Sequence, residues 1–184
     1  SKIDHWMMLS GIFPLFLVVG LGSSLYDGWR HLYFVYPSLI WFSVLGARFV
    51  YEKNKLLGAC FVGAALLWSA FVVFAMHPFQ QVYFNALAGP KDTIRARYEV
   101  DYWGLVYRPL LEDLLRRDDR EILNIGVPNV AGIYARHILS PKDQKRIQFV
   151  SDPQKAHYFL SNFRWHPQEY PFVKINSILV GGIE

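Results

Sequence analysis

The chain has 184 residues, a net charge of +4 and a single cysteine, Cys60. The length allows one ordinary domain, and one cysteine excludes an internal disulfide. The charge splits evenly, with +2 in each half, so the sequence lacks the basic face or tail of a nucleic-acid-binding protein. It also lacks the motifs of dinucleotide, P-loop and metal sites, and we predict no metal site.

Composition changes abruptly near residue 90. Residues 1–90 hold eight charged side chains, whereas residues 91–184 hold twenty-six. The mean hydropathy of +0.16 is therefore the average of a very apolar half and an ordinary one. We predict a membrane domain over residues 1–78, an interfacial linker over 79–106 and a soluble α/β domain over 107–184.

Three apolar runs match the hydrocarbon core of a bilayer, which a helix of about 20 residues crosses. The middle run is short, but Arg48 can snorkel to the interface and let the run extend. A cleaved signal peptide is excluded for the first run, because the run is too long and a second hydrophobic segment follows at once. The predicted spans are about residues 6–26, 32–50 and 56–76.

Small residues in the third span, among them Gly58 and Gly63, would let a neighbouring helix approach closely. We therefore expect membrane lipid and other membrane helices or subunits as partners, and no nucleic acid.

Basic residues between the second and third spans predict the orientation. Arg48, Lys53 and Lys55 outnumber Glu52 in this short connection, which favours a cytoplasmic position. The N-terminus is then cytoplasmic, and everything after Met76 lies outside. The predicted fold is thus three transmembrane helices followed by a small extracytoplasmic α/β domain.

The loop between the first two spans, YDGWRHLYFVYP, contains residues that could bind a ligand. Arg30 and His31 would stand at the outer membrane edge, where a lipid phosphate lies, and the guanidinium group suits phosphate geometry. We interpret both residues as candidates for binding a lipid phosphate. The simpler alternative is that Arg30 is a snorkelling anchor and His31 its solvated neighbour.

The soluble half alternates between helical and strand patterns. A helix opens at Tyr107, and a second helix follows Asn129, which is either a cap or part of a ligand site after a strand. Strand, helix, strand at these lengths predicts a βαβ unit with a partly parallel sheet. No nucleophile–base pair or carboxylate pair is spaced for catalysis, so we predict no catalytic residue. The predicted strands are residues 122–127, 147–150, 157–162 and 175–180.

The linker carries residues that suit an interface. His77 ends the third span, and Tyr83 can anchor among lipid headgroups. Asp101 and Trp103 would fix the first soluble helix, with Asp101 acting as a cap or bonded structural carboxylate. We interpret these four as interfacial and docking residues.

Three motifs together resemble a known family. YDGWRHLYFVYPSL, HPFQQVYFN and YEVDYWGLVYR resemble the C-terminal part of bacterial polytopic glycosyltransferases of the GT-C type, in family 39, related to the protein O-mannosyltransferases. The resemblance extends from about Leu25 to the last predicted strand. It implies sugar transfer from a polyprenyl-phosphate donor at the outer face of the bacterial inner membrane, and it strengthens the phosphate role of Arg30 and His31.

The family's catalytic acid lies in the first extracytoplasmic loop, near the N-terminus of the whole enzyme. Asp27 lies in the first loop of this chain, but its surrounding motif differs, so we assign it no catalytic role. We expect a portion without the N-terminal catalytic region, which is not catalytic by itself.

A different class of function also fits. The chain could be a non-catalytic subunit that anchors a soluble domain to a larger energy-transducing or photosynthetic complex. In that setting His5 and His77, near the span ends, could ligate a pigment or haem; otherwise they are ordinary interface histidines. No other cofactor is predicted beyond the polyprenyl-phosphate sugar that the resemblance implies.

Overall fold

The computed structural model describes residues 1–24 and 28–184, and for residues 28–30 it describes the backbone alone. The chain forms two compact units, Ser1–Ala75 and Met76–Glu184. The first unit is helical, and the second combines short helices with a three-stranded sheet.

The first unit contains three long helices: α1 (Lys2–Gly20), α2 (Tyr36–Lys53) and α3 (Lys55–Ala75). A 3-10 helix, Gly28–Val35, leads into α2. Within the described residues, three helical stretches are long and apolar enough to cross a membrane, which confirms the predicted membrane character of this half. The second of these stretches, His31–Lys53, includes part of the 3-10 helix.

The first helix lies earlier than the predicted span 6–26. The Ser1 hydroxyl accepts a hydrogen bond from the Asp4 backbone N–H, and the Asp4 carboxylate accepts one from the Ser1 amino group. This capping box starts the helix at Lys2, within a charged stretch that precedes the uncharged run of the predicted span. Gly22, at φ 58°, follows the helix end. The predicted end at Tyr26 lies outside the described residues.

Close approach holds the long helices together. The Ser38 hydroxyl donates to the Met7 carbonyl at 2.6 Å, and the indole N–H of Trp41 donates to the Asp4 carboxylate at 3.0 Å. A Cβ on Gly11 would lie 2.8 Å from the Ser38 hydroxyl oxygen, so glycine is needed there. Small residues and interhelical hydrogen bonds are the usual means of pairing membrane helices.

The connection between α2 and α3 is a single residue. Asn54 ends α2, and its side-chain oxygen accepts a hydrogen bond from the Leu57 backbone N–H at 3.0 Å in the first turn of α3. Gly58 then lies against the backbone of Tyr51, where a Cβ would overlap. The two helices therefore form a tight hairpin.

Two glycines of α3 give a matched test of this packing. We expect Gly58→Ala to destabilise the hairpin by about 1–3 kcal/mol, because the new methyl group meets backbone atoms that cannot move aside. No described atom lies within 4 Å of the Cβ position at Gly63, so Gly63→Ala should be neutral or slightly stabilising. Thermal unfolding in detergent measures both, and equal effects would contradict the close contact.

The second unit begins with two short 3-10 turns and a short helix, α4 (Lys91–Arg97). The α-helices and strands that follow are α5 (Tyr107–Arg117), β1 (Leu123–Gly126), α6 (Val130–Ala135), α7 (Pro141–Arg146), β2 (Ile147–Phe149) and β3 (Tyr158–Phe159). The strand order is β2–β1–β3, and both strand pairs are parallel, as the βαβ pattern predicts.

Helix α5 packs its apolar face on the sheet. Tyr107 and Leu111 on the helix and Leu123 and Ile125 on β1 are completely buried, and Ile147 on β2 joins the same core. The leucine spacing of α5 thus produces a buried stripe along one face of the helix. This core places the carboxyl ends of β1 and β3 beside the start of α5.

The predicted strand over residues 175–180 is wrong. Val180 forms only an isolated antiparallel bridge with Ile183, around the left-handed glycines Gly181 and Gly182. Its apolar pattern suits a strand, but β3 is only two residues long and offers a short edge for pairing. The apolar residues of this segment line a cavity instead.

Candidate functional site

A buried carboxylate joins the two motifs of the second unit. Asp101 is 8% exposed and accepts hydrogen bonds from the backbone N–H groups of Leu105 and Val106, both at 2.9 Å. It also accepts one from the side-chain amide of Gln81 at 2.8 Å. Gln81 belongs to HPFQQVYFN and Asp101 to YEVDYWGLVYR, so this bond connects the motifs. The carboxylate also supports the turn that leads into α5.

A second buried polar residue connects this junction to the sheet. The amide N–H₂ of Asn162, just after β3, donates to the Asp101 carbonyl at 2.7 Å. Its side-chain oxygen accepts from the Tyr107 hydroxyl at 3.1 Å and from the Asn129 amide at 2.8 Å. Burial raises the pKa of Tyr107, against the opposing effect of its hydrogen bond to Asn162.

Asn129 also caps a helix. Its side-chain oxygen accepts from the backbone N–H of Gly132 at 3.4 Å in the first turn of α6. With its amide given to Asn162, the side chain has partners on both sides, which favours the cap over a ligand site.

A cavity of about 410 Å³ borders the junction. It lies between α5, the end of β3 and the C-terminal segment, which we define as residues 169–184. This volume is in the range of small-molecule sites, roughly 300–1,000 Å³. Asp101 forms part of the cavity wall. Most of the lining is apolar and comes from Val82, Val106, Leu110, Phe159, Tyr170, Phe172, Ile175 and Ile178.

Ion pairs and one hydrogen bond from a side-chain amide hold the C-terminal segment in place. Arg95 on α4 donates to Glu169 at 2.5 Å, and its guanidinium lies 4.0 Å from the Phe163 ring centre. Lys174 pairs with Glu184 at 2.8 Å. The hydrogen bond from Arg95 lowers the pKa of Glu169, and the bond to Glu184 raises the pKa of Lys174.

The hydrogen bond from the side-chain amide attaches the same segment to α5. The side chain of Asn176 donates to the Asp113 carboxylate at 2.9 Å. The segment is therefore attached through side chains rather than through a strand ladder.

The end of α5 carries a separate charged cluster. The Asp118 carboxylate accepts hydrogen bonds from two guanidinium nitrogens of Arg120, Nε and Nη2. It also accepts one from the Tyr158 hydroxyl at 2.8 Å. The Arg120 hydrogen bond holds the pKa of Asp118 well below its usual range, and the bond to Asp118 raises the pKa of Tyr158. Arg146 donates to the carbonyls of Leu115, Asp118 and Arg120, so this cluster holds the helix end in place.

Acid should weaken the second unit through Asp118. Its pKa is lower in the folded than in the unfolded chain, so its contribution is present above the unfolded value, near 4, and is lost as the pH falls below it. We expect the melting temperature to fall between pH 5 and pH 2.5, and Asp118→Asn to flatten that dependence. An unchanged slope in Asp118→Asn would show that other groups cause the acid sensitivity.

The lipid-phosphate candidates are neighbours in the chain. Arg30 and His31 both belong to the 3-10 helix Gly28–Val35, and His31 is partly buried. The side chain of Arg30 lies outside the described part of the structure, as does Asp27.

The two histidines proposed as pigment or haem ligands have local hydrogen bonds. His5 Nδ1 donates to the Ser1 carbonyl at 2.8 Å, and the Gln80 amide lies 3.0 Å from His77 Nδ1. Among residues 1–24 and 28–184, no group of three or more His, Cys, Asp or Glu residues is arranged to hold a metal ion.

The four predicted interfacial residues differ in their surroundings. Asp101 is buried at the motif junction, whereas Tyr83 is 40% and Trp103 65% exposed. Trp103 contacts the ring of Tyr102 edge-on at 4.9 Å. His77 bonds to Gln80. Of these four residues, Asp101 is the one whose side chain bonds to Gln81 and to the start of α5.

Sequence reasoning missed the partners of Asp101. Gln81 stood inside a motif already singled out, and Asn162 is a polar residue at the carboxyl end of a parallel strand, which is a recognisable signal. Comparisons with protein-family models, curated proteins and solved structures matched none of them to this chain, so the function proposed below rests on its own residues and geometry.

Proposed function

We propose that this chain is the C-terminal membrane and outer-domain portion of a lipid-carrier-dependent glycosyltransferase of the GT-C type. One observation carries the proposal. The two motifs that resemble this family, HPFQQVYFN and YEVDYWGLVYR, are joined by the Gln81–Asp101 hydrogen bond at the wall of an apolar cavity. This buried bond couples the two motifs within the second unit, and it supports treating them as one structural element.

In this proposal the second unit is an extracytoplasmic α/β domain at the bacterial inner membrane. The basic residues on either side of the turn between α2 and α3 support that orientation, because basic loops stay in the cytoplasm. A tag after Glu184 that is accessible only from the cytoplasm would contradict it. The domain's cavity would then take an apolar part of the acceptor, on the same side as the polyprenyl-phosphate donor.

The phosphate of the donor is assigned to Arg30 and His31. An arginine can donate two parallel hydrogen bonds to phosphate oxygens, and such charge-assisted bonds are about twice as strong as neutral ones. The residues precede α2, at the end opposite to Arg48 and Lys53.

A lipid-binding measurement tests this assignment. The full chain in nanodiscs is titrated with a fluorescent short-chain polyprenyl phosphate and, separately, with the corresponding alcohol. We expect Arg30→Ala to weaken binding of the phosphate by about tenfold and to leave binding of the alcohol unchanged.

Arg48→Ala is the matched control, since it removes an arginine near the other end of α2 that pairs with Glu52 at 2.6 Å. Equal losses in both variants would indicate a general effect of charge. Unchanged phosphate binding in Arg30→Ala would remove Arg30 from the proposal.

The accessory-subunit alternative has one observation in its favour. In the three membrane-type stretches only 6%, 11% and 6% of the most apolar window is buried among the described residues. Most residues of these stretches thus keep surface that is available to lipid or to helices of a partner, and His5 or His77 could serve a pigment or haem there.

The native polypeptide distinguishes the two functions. A species much heavier than 21.4 kDa on a denaturing gel would favour the transferase. A chain of that mass that stays with a stable complex through detergent extraction would favour the subunit.

A further inference from the structure

An exposed tryptophan in the second unit is held in a fixed orientation. Trp165 is 71% exposed, although its indole N–H donates to the Glu99 carboxylate at 2.7 Å. The guanidinium carbon of Arg164 lies 4.1 Å from the centre of its ring. One face of the indole is thus covered by a cation, and the other is open to solvent.

The covering arginine is itself well fixed. The side chain of Arg164 is only 11% exposed, and its guanidinium also lies 3.7 Å from the ring centre of Tyr102. It donates to the Tyr102 carbonyl at 3.3 Å and lies 3.5 Å from the Glu99 carboxylate. Trp165 therefore rests on a rigid base of stacked groups.

The backbone beneath the tryptophan adopts a costly conformation. Trp165 has φ 62° and Phe163 has φ 54°, in the left-handed region that bulky residues rarely enter. The Ser161 hydroxyl accepts from the Phe163 N–H at 2.9 Å, and the Asn162 side chain from the Arg164 N–H at 3.3 Å. Such strain persists where the surroundings enforce it, and it concentrates at binding sites.

We propose that Glu99, Arg164 and Trp165 form a saccharide-binding platform. A pyranose ring has an apolar C–H face and hydroxyl groups around its edge. The open indole face matches the C–H face, and the carboxylate of Glu99, which is 35% exposed, stands beside the ring where it can accept a hydrogen bond from a sugar hydroxyl.

Membrane anchoring fits the platform less well. An interfacial tryptophan places its indole N–H among the headgroups and its ring in the apolar layer. In this platform the N–H is already bonded to Glu99, and the orientation is fixed by the protein. The platform does not depend on the proposed transfer reaction. Its saccharide binding can be measured without a lipid donor, so its failure and that of the proposed function are distinguishable.

The test uses the full chain, labelled with ¹⁵N-tryptophan, in a detergent that has no sugar headgroup. Cellotriose and mannotriose are added to millimolar concentrations, and the indole N–H resonances are followed. We expect the Trp165 resonance to shift saturably with at least one of the two sugars. Saccharide-induced shifts of the remaining resonances report binding in the variants.

Three substitutions define the result. Trp165→Leu should weaken binding by at least about tenfold, whereas Trp165→Tyr, which keeps a flat ring, should retain part of it. Tyr134→Leu removes a comparably exposed aromatic residue of the same unit, on α6, and should change the affinity by less than about twofold. Retention by Trp165→Tyr separates lost stacking from lost folding.

Several outcomes would overturn the proposal. These are no saturable shift of Trp165 with either sugar, equal weakening by Tyr134→Leu and Trp165→Leu, or loss of binding in Trp165→Tyr as complete as in Trp165→Leu. A Trp165 resonance that responds to phosphatidylglycerol vesicles and not to either sugar would identify a membrane anchor instead.

Discussion

Replacing Tyr107 with alanine should destabilise the second unit by about 3–5 kcal/mol, the largest loss that we expect from a single substitution. The ring is completely buried between α5 and the sheet, so its removal leaves a cavity in the centre of the core. The hydroxyl also bonds to Asn162, which adds the loss of one buried hydrogen bond.

Tyr107→Phe is the matched control, because it removes only the hydroxyl. The Asn162 oxygen keeps the Asn129 amide at 2.8 Å, so we expect a loss of about 1 kcal/mol. Hydrogen exchange of the α5 and β1 amides, followed by mass spectrometry, measures the opening free energy in both variants. Similar losses in Ala and Phe would mean that the hydrogen bond outweighs the packing of the ring.

Replacing Asp101 with alanine should cost about 2–4 kcal/mol. The substitution leaves three donors without their acceptor: the N–H groups of Leu105 and Val106 and the amide of Gln81. The site is buried, so water replaces the lost bonds poorly. We expect faster hydrogen exchange at the start of α5 before any change at β2.

Two variants make the Asp101 result interpretable. Asp101→Asn keeps one acceptor oxygen and should give an intermediate loss. Asp119→Ala removes an exposed carboxylate just beyond α5 and should stay within about 0.5 kcal/mol of the parent chain. If Asp101→Ala behaved like Asp119→Ala, the junction between the motifs would contribute little to stability.

The coarse architecture was predictable because it depends on local composition. Long uncharged runs announce the three membrane-type helices, and the leucine spacing of α5 announces its buried face. The start of α1 was missed because a cap depends on polar residues, here Ser1 and Asp4, that a search for apolar runs discards. The strand predicted over 175–180 failed because pairing depends on a partner elsewhere in the chain.

The candidate site was predictable only in part. The motifs and the bonded role of Asp101 could be inferred from residue type, but Gln81 lies 20 positions away and Asn162 contacts the Asp101 carbonyl across 61 positions. One sequence does not specify such long-range pairings. The left-handed backbone at Trp165 was equally hidden, because that conformation is normally signalled by glycine.

The α2–α3 hairpin has a consequence for where the chain's chemistry can occur. Only Asn54 separates the two helices, so if both cross a bilayer they turn back at one surface and open at the other. The residues before α2 and the chain that continues beyond Ala75 then emerge into the same aqueous compartment, whichever way the protein is inserted. A phosphate bound by Arg30 and a sugar stacked on Trp165 would therefore face the same aqueous compartment.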